Sequence, residues 1–457
     1  MKHLTLRNTL ALALALLFVV SNAGRAAAQP GEEKVKLTRE AKIAREQSIA
    51  MLNEMEEILN EYYYDAKFHG IDVKSRVETA KTRVKTMQYN WQMYRVLVQL
   101  LMDFNDSHTT MIMPPRTDYF QYGFGMQMVA DSCYVTSVKK DSDAHKQGVE
   151  VGDEIIALGK FKPNRRDLWK MLYVIYKLDP ADTLDLKIRK PDGSEKTMTV
   201  KAKTMTRKEF RAEQKARKDK QKFEPFKCQE LAPSLVACKL YSFSVEKNDI
   251  DKMMTVALKY PKMILDLRGN GGGYVVVEEY LLSHFFDREV KIADVVTRKK
   301  TEARVTKPVG NRRYNGELAV LVDANSASAS EMTARVLQLE KRAKIYGDFT
   351  SGSVMTSITL PFRSLMSALS DAAVIRAGMS VTVADVIMRD GSRLEKTGVE
   401  PDELLQPNGL AFANRLDPAL AYVAQQFGAS VTPEQAGGYY FMVPKEESDD
   451  EASDDDN

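Results

Sequence analysis

The chain has 457 residues, which is long for one hydrophobic core and sets an expectation of about two to three domains. With 44% hydrophobic and 28% charged residues it has the balance of a globular protein rather than of a disordered or fibrous one. The 66 basic and 63 acidic side chains leave a net charge of only +3, which excludes a global electrostatic footprint for nucleic acid.

Met1–Gln29 reads as a secretory signal: Lys2 and Arg7 precede an apolar stretch, Leu10–Val20, and Ala26-Ala27-Ala28 supplies small residues for cleavage. Cleavage after Ala23 is the alternative, and the apolar stretch is too short for a membrane span. The mature chain is therefore expected to be periplasmic or secreted, with no integral span after signal cleavage. Residues 36–104 are helical by pattern, with Leu52, Met55, Ile58 and Leu59, and then Tyr94, Leu97, Leu100 and Leu101, at helical spacing. Tyr62-Tyr63-Tyr64 reads as core packing. The helical region ends in Asp103–Pro115, where two prolines break it. In Leu184–Ile188 and Thr197–Val200, alternation predicts two strands paired around the turn Pro191-Asp192-Gly193. Thr206–Lys222 is a basic helical linker that reads as a solvated face. Beyond it, strands alternate with helices to about Leu405, the pattern of an α/β core with a largely parallel sheet. Asp371–Arg389 is expected to supply the remaining strands, Asp417–Phe427 a closing helix, and Glu446–Asn457 an acidic, disordered tail.

Cys133, Cys228 and Cys238 make no disulfide framework and have no zinc-ligand spacing, and no metal or cofactor is expected. Cys228 and Cys238 flank a short turn and strand; they either bridge in an oxidising compartment or remain buried thiols.

The core carries two unusual turns. Met263–Leu267 reads as a buried strand, Gly269–Gly273 as a turn that only glycine-rich backbone can make, and Tyr274–Phe285 as a helix. No Lys-Ser/Thr follows the glycines, so this is not a phosphate loop. The second turn lies in Leu321–Glu331, read LVDANSASASE. The apolar run Leu318 to Val322 reads as a strand, Asp323-Ala324-Asn325 as a turn, and Glu331 to about Arg342 as a helix. Strand, tight turn and helix start lift one hydroxyl out of a sheet edge and leave backbone N–H groups beside it, aimed at developing negative charge.

ILDLRGNGGG at Ile264–Gly273, SASASE ending at Glu331, and Gly398-Val399-Glu400-Pro401-Asp402 stand in the order found in the C-terminal processing (tail-specific) serine peptidases, and the chain resembles that family over most of residues 100–425. The resemblance implies a multidomain α/β fold: a ClpP/crotonase-like α/β protease core, an N-terminal helical region and an inserted PDZ-like α+β module. It divides the chain into a signal at 1–28, a helical domain at 29–115, a PDZ-like domain at 116–205, a basic linker at 206–227, the peptidase core at 228–442 and the tail at 443–457. Tyr122-Gly123-Phe124-Gly125-Met126 resembles the carboxylate-binding loop of PDZ modules, which bind extended peptides by adding a strand. Ser328 is the nucleophile the resemblance implies, with oxyanion N–H groups from Ala329 and from Gly271 or Gly272.

One departure decides the branch. Most bacterial members activate the serine with a lysine in a Gly-Lys-Gly-like turn; the ungapped count lands on Ser353, and no lysine lies between Lys344 and Lys396. Of the five histidines, His3 falls in the signal, His69 and His145 in polar surroundings without a motif, and His284 in an apolar helix. His108, in Asp106-Ser107-His108-Thr109, resembles instead the Ser-His pair of the tricorn-like branch, which uses a Ser–His–Ser–Glu tetrad, and Glu395 stands where its glutamate falls. His108 is then the base, with Ser107 and Glu395 orienting it. The expected function is an exported serine endopeptidase acting on polypeptides. The alternative is a catalytically inactive, PDZ-containing peptide-binding adaptor, prompted by the missing lysine and by Ser357, where lysine-type members carry glutamine.

Overall fold

The computed structural model describes residues 38–220, 224–365 and 377–442. The Met1–Gln29 signal, the end of the basic linker at 221–223, the start of the Asp371–Arg389 span and the acidic tail lie outside the described residues.

Three helices come first: α1 (Arg39–Tyr62), α2 (Val73–Thr86) and α3 (Asn90–Met102). The Thr38 hydroxyl caps α1 by accepting from Ala41 N, and Asp72 caps α2 by accepting from Ser75 N. Met51, Leu52, Met55 and Leu59 are buried on one face of α1 and pack with Val96, Leu97 and Leu101 of α3. Tyr63 is the fully buried member of the tyrosine run. The chain leaves the helical region after Met102. Strand β1 (Thr110–Ile112) pairs antiparallel with Gly378–Ser380, so the end of the 29–115 segment belongs to a sheet of the core.

The inserted module begins at β2 (Asp118–Gln121), β3 (Phe124–Val129), β4 (Ser132–Val138), the short helix α4 (Asp143–Lys146) and β5 (Glu154–Leu158). Helix α5 (Leu168–Tyr173) is prolonged by a π-helical turn at Val174–Leu178. Strands β6 (Thr183–Arg189) and β7 (Glu195–Lys201) form the hairpin around Asp192-Gly193. The sheet runs β3-β4-β5-β6-β7, which leaves β3 at its edge among the described residues. Strand β8 (Lys203–Thr206) returns to pair with β2, and the basic helix α6 (Arg207–Lys220) follows.

The core starts with the hairpin β9 (Phe226–Ala232) and β10 (Leu235–Leu240), in which Cys228 and Cys238 are direct cross-strand partners and form a disulfide; Cys133 is free and buried. Then come α7 (Lys247–Ala257), β11 (Lys262–Asp266), α8 (Val275–Ser283), the hairpin β12 (Lys291–Thr297) and β13 (Thr301–Val305), β14 (Glu317–Val322), α9 (Ala329–Leu339), β15 (Lys344–Gly347), β16 (Thr356–Pro361), β17 (Gly378–Met388) and β18 (Glu403–Leu404). Helices α10 (Gly409–Ala413), α11 (Pro418–Gln426) and α12 (Pro433–Gly437) close the described chain. One sheet runs β18-β15-β14-β11-β10-β9 and is parallel except for the β9–β10 hairpin. Val320, Val322, Leu265 and Ile345 point to the face covered by α7, α8 and α9, while Ile264, Leu321 and Ala319 point to the face covered by α11 and α12. Both faces are buried, which is why these strands read as continuous apolar runs.

The single, largely parallel sheet expected from the sequence is joined by a second one. β1, β17, β12 and β13 lie in that order, with β16 also on β17, and every pairing is antiparallel. The helical region packs on it through Phe362, Met379 and Val381. Strand alternation with helices signals the parallel part, but β1 and β17 meet across the whole inserted module, and no local pattern encodes that.

Candidate active site

Asp323 follows the end of strand β14, and its Oδ1 accepts from Gly269 N, Asn325 N and Ser326 N and so closes two neighbouring turns at once. Asn270 does the same from the other side: its carbonyl accepts from Ala327 N and from the Ser330 hydroxyl, its Oδ1 accepts from Gly272 N, and its Nδ2 donates to Leu240 O. Ser328 sits at the resulting corner with φ 55° and ψ −116°, a conformation that non-glycine residues hold only under constraint, and α9 starts at the next residue. Gly272, at φ 92°, approaches so closely that an added Cβ would lie 2.8 Å from Ser328 Cβ and 2.8 Å from Ala327 O. The glycine is thus required both by its conformation and by the space. Gly272 N–H is bound to Asn270, whereas the N–H groups of Gly271, Gly273 and Ala329 have no hydrogen-bond partner among the described residues.

Beneath the corner lies a buried charge network. Arg268 forks onto Asp266 (2.6 Å) and Asp417 (2.7 Å), and Lys239 Nζ donates to Arg268 O (2.6 Å). Burial pushes the Lys239 ammonium below its usual range; against the same effect of burial, Arg268 and Lys239 hold the Asp266 carboxyl below its own.

Glu331, in the first turn of α9, connects the corner to the loop Thr350–Ser353. Its Oε2 accepts from Ser328 N (2.9 Å) and Ser353 N (2.9 Å), and its Oε1 from Gly352 N (2.7 Å) and the Thr350 hydroxyl (2.6 Å). Burial pushes this carboxyl up to about 7, opposed by the hydrogen bonds from Thr350, Ser353, Gly352 and Ser328 that hold the charged form. The position where the family lysine was sought is therefore filled by a backbone that binds a buried glutamate, with Ser353 Oγ at 3.0 Å from Ser351 Oγ.

Ser107 and His108 come from the opposite end of the chain. Asp106 is buried and shapes their loop: its Oδ1 accepts from His108 N, Thr109 N and the Thr382 hydroxyl, and its Oδ2 from the Tyr63 hydroxyl. On that loop Ser107 Oγ lies 2.7 Å from His108 Nδ1 and donates to Glu395 Oε2 at 3.0 Å, while Ser107 N donates to Glu395 Oε1 at 3.0 Å. Glu395 Oε2 also accepts from Val354 N. An ionised carboxylate accepts only, so the serine proton points at Glu395 and the hydroxyl accepts from His108 Nδ1–H. That assignment leaves Nε2 as the basic nitrogen of the imidazole.

The structure thus brings Ser107, His108 and Glu395 into one hydrogen-bonded chain, and Ser328, Ala329, Gly271 and Gly272 into one corner. Glu331 and the loop 350–354 link the two groups; no hydrogen bond joins His108 to Ser328 among the described residues. His69 binds Tyr64 and Asp65, and His284 is buried with its Nδ1 on Tyr280 O, so neither belongs to the site. Asp106 and Glu331 were not singled out from the sequence. Glu331 had a signal, the Ser-x-x-Glu spacing of a capping box at Ser328; Asp106 had none beyond its place before Ser107.

The PDZ-like loop lies where the sequence put it. Gly123 has φ 81°, Phe124 to Met126 form the first half of edge strand β3, and the Tyr122 ring is turned inward, its hydroxyl donating to Ala181 O. The module is bolted onto the corner by its own side chains: Gln127 Nε2 donates to Asp323 Oδ2 and its Oε1 accepts from Asn325 Nδ2, both at 3.0 Å. Arg165 donates to Asp348 Oδ2 and Phe349 O.

Comparisons with known proteins agree with this architecture. Residues 236–405 match the profile of peptidase family S41, and residues 121–202 match that of the PDZ domain. The fold is accordingly a multidomain α/β architecture whose core is similar to that of S41 peptidases, with a PDZ-type module and a helical N-terminal region. A carboxyl-terminal-processing protease of Synechocystis is 33% identical over 156 residues, 34% of each chain, and a tail-specific protease of Haemophilus influenzae is 25% identical over 361 residues, 73% of this chain and 50% of that one. Among solved structures, mature CPAF superposes with a TM-score of 0.62 at 15% identity, over 81% of this chain and 94% of that one. The chain spans 34% to 52% of the length of the first curated relatives it matches.

Proposed function

We propose that this chain is a serine endopeptidase that cuts polypeptides and uses a serine–histidine site. In this reading Ser328 is the nucleophile, and His108 Nε2 takes its proton and later returns it to the leaving amine. Ser107 and Glu395 hold the imidazole and balance its transient charge. The N–H groups of Ala329 and Gly271 receive the oxyanion. The single observation that supports it is the chain Glu395–Ser107–His108, built from segments 288 residues apart, which favours the tautomer a general base needs. The contact from His108 to Ser328 is then made in the substrate complex, since catalytic hydrogen bonds commonly tighten only there. The PDZ domain binds the C-terminal or extended part of the substrate along β3. The Cys228–Cys238 disulfide supports export to an oxidising compartment, in keeping with the signal-like Met1–Gln29. Among the described residues no helix is long and apolar enough to cross a membrane.

Fluorophosphonate labelling tests the assignment on wild type, Ser328→Ala and His108→Ala. Loss of labelling in both variants, with circular dichroism unchanged, is the expected result. Loss with Ser328→Ala alone places the base elsewhere, and no labelling of the folded wild type turns the reading to a peptide-binding adaptor.

A further inference from the structure

A cavity of about 360 Å³ lies between the PDZ domain and the core. Met128 at the end of β3 and Leu168, Trp169 and Leu172 around α5 form its apolar wall, and the Ser351–Ser353 loop with Ser107 and Glu395 forms the opposite wall. An extended chain laid against the free edge of β3 therefore passes directly into the space beside the Ser107–His108–Glu395 chain.

The charges around this space are unequal. Four charged side chains line it: Arg165, Arg166, Glu395 and Lys396. Arg165 is neutralised by Asp348, and Glu395 is committed to Ser107 and Val354 N. Arg166 and Lys396 are exposed and have no ion-pair or hydrogen-bond partner for their side-chain nitrogens among the described residues. Nearby Asp167 faces Lys170 at 3.5 Å, and Glu331 lies behind the loop backbone that binds it. Lys396 is held in an unusual way: it has φ 66°, its backbone N–H donates to Gly352 O, and an added Cβ on Gly352 would lie 2.9 Å from its carbonyl carbon. A long, flexible cation is thus fixed at its backbone against the loop next to the nucleophile corner, in a conformation that glycine or asparagine would adopt more easily.

We propose that this cleft selects polypeptide segments bearing an acidic side chain close to the bond to be cut, with Arg166 and Lys396 receiving its carboxylate. The inference rests on the peptidase reading for its consequence in turnover, but the recognition itself is a binding property. Each contact near a wet surface is worth about 1.4- to fivefold, so that two together reach about three- to tenfold, and both weaken as salt screens them.

The test uses the full chain and three fluorescent peptides identical except for Glu, Gln or Lys at the varied position. Binding is read by anisotropy on Ser328→Ala and cleavage by kcat/KM on the wild type, each at low and high salt. The expected result is a Glu-over-Gln preference of about three- to tenfold and a larger Glu-over-Lys preference, both shrinking with salt. In the Arg166→Gln/Lys396→Gln double variant the preference is lost through KM, while the Gln peptide is cut at a kcat near that of wild type. Equal binding of the three peptides, or a preference that survives in the double variant, overturns the proposal. Charge-selective binding without any cleavage by wild type upholds the cleft and overturns the peptidase reading instead.

Discussion

Replacing Glu331 by glutamine isolates the link between the nucleophile corner and the loop beside it. The carboxylate accepts four hydrogen bonds: Oε1 from Gly352 N and the Thr350 hydroxyl, and Oε2 from Ser328 N and Ser353 N. An amide keeps one acceptor and turns the other oxygen into a donor; in its better orientation the NH₂ faces the Thr350 hydroxyl, which can accept, and Gly352 N, which goes unmet. At about 1–3 kcal/mol for an orphaned buried donor, the variant loses on that order from this one N–H. The wild type carries an opposing cost. Burial raises its carboxyl from 4.5 in the open chain to about 7 in the fold. A raised carboxyl means that the folded state binds more protons, so stability falls as pH rises from 4.5 to 7, by about 3 kcal/mol at about 1.4 kcal/mol per tenfold. Glutamine does not titrate and escapes that loss. The penalty of Glu331→Gln is therefore larger at pH 5 than at pH 8, by about 2.5 kcal/mol, roughly 70-fold in an equilibrium constant. Neither tryptophan, Trp91 or Trp169, lies in the core, so fluorescence does not report on it. Hydrogen exchange of peptides spanning Glu317–Leu339, corrected for intrinsic rates, reads the protection directly. A penalty equal at both pH values would refute the reasoning, because it would mean that Glu331 is equally ionised in the folded and open chains across the range.

Two further outcomes are expected. Arg268→Met leaves Asp417 buried without its guanidinium partner and Asp266 with Lys239 alone, which costs about 3–5 kcal/mol and should be read as loss of soluble, protected core by yield and hydrogen exchange. Arg268→Lys should fail similarly, since a point charge cannot span both partners. Replacing both Cys228 and Cys238 by serine, or reducing the pair, should lower the stability of the β9–β10 edge by about 2–3 kcal/mol while the fold persists. Exchange at residues 226–240 that is unchanged by reductant would show that the bridge does not form in solution.

The sequence carried what local chemistry specifies. The apolar run Leu318 to Val322, the turn residues Asp323 and Asn325, and the helical pattern behind them were sufficient for the strand, corner and helix around Ser328, because each is set by neighbours a few residues away. The glycines at 269–273 announced a turn that other residues cannot make, and Gly272 proves to stand against Ser328 itself. Glu331 showed only half of its role. Its spacing from Ser328 signals a cap, but its other oxygen answers to Thr350 and Gly352, which no helix pattern reveals.

What tertiary structure alone decided is which distant pieces meet. Ser107 and Glu395 were named as candidates from the sequence by resemblance, yet their contact depends on Asp106 being held by Tyr63 and Thr382, and on β1 pairing with β17 across the whole PDZ insertion. Neither bond is visible in any window of neighbouring residues, because packing and charge burial select the partners. The same holds for Gln127 on Asp323 and Asn325, and for Arg268 between Asp266 and Asp417. A polar side chain declares what bonds it can make; only the fold, by excluding water, determines which ones it must.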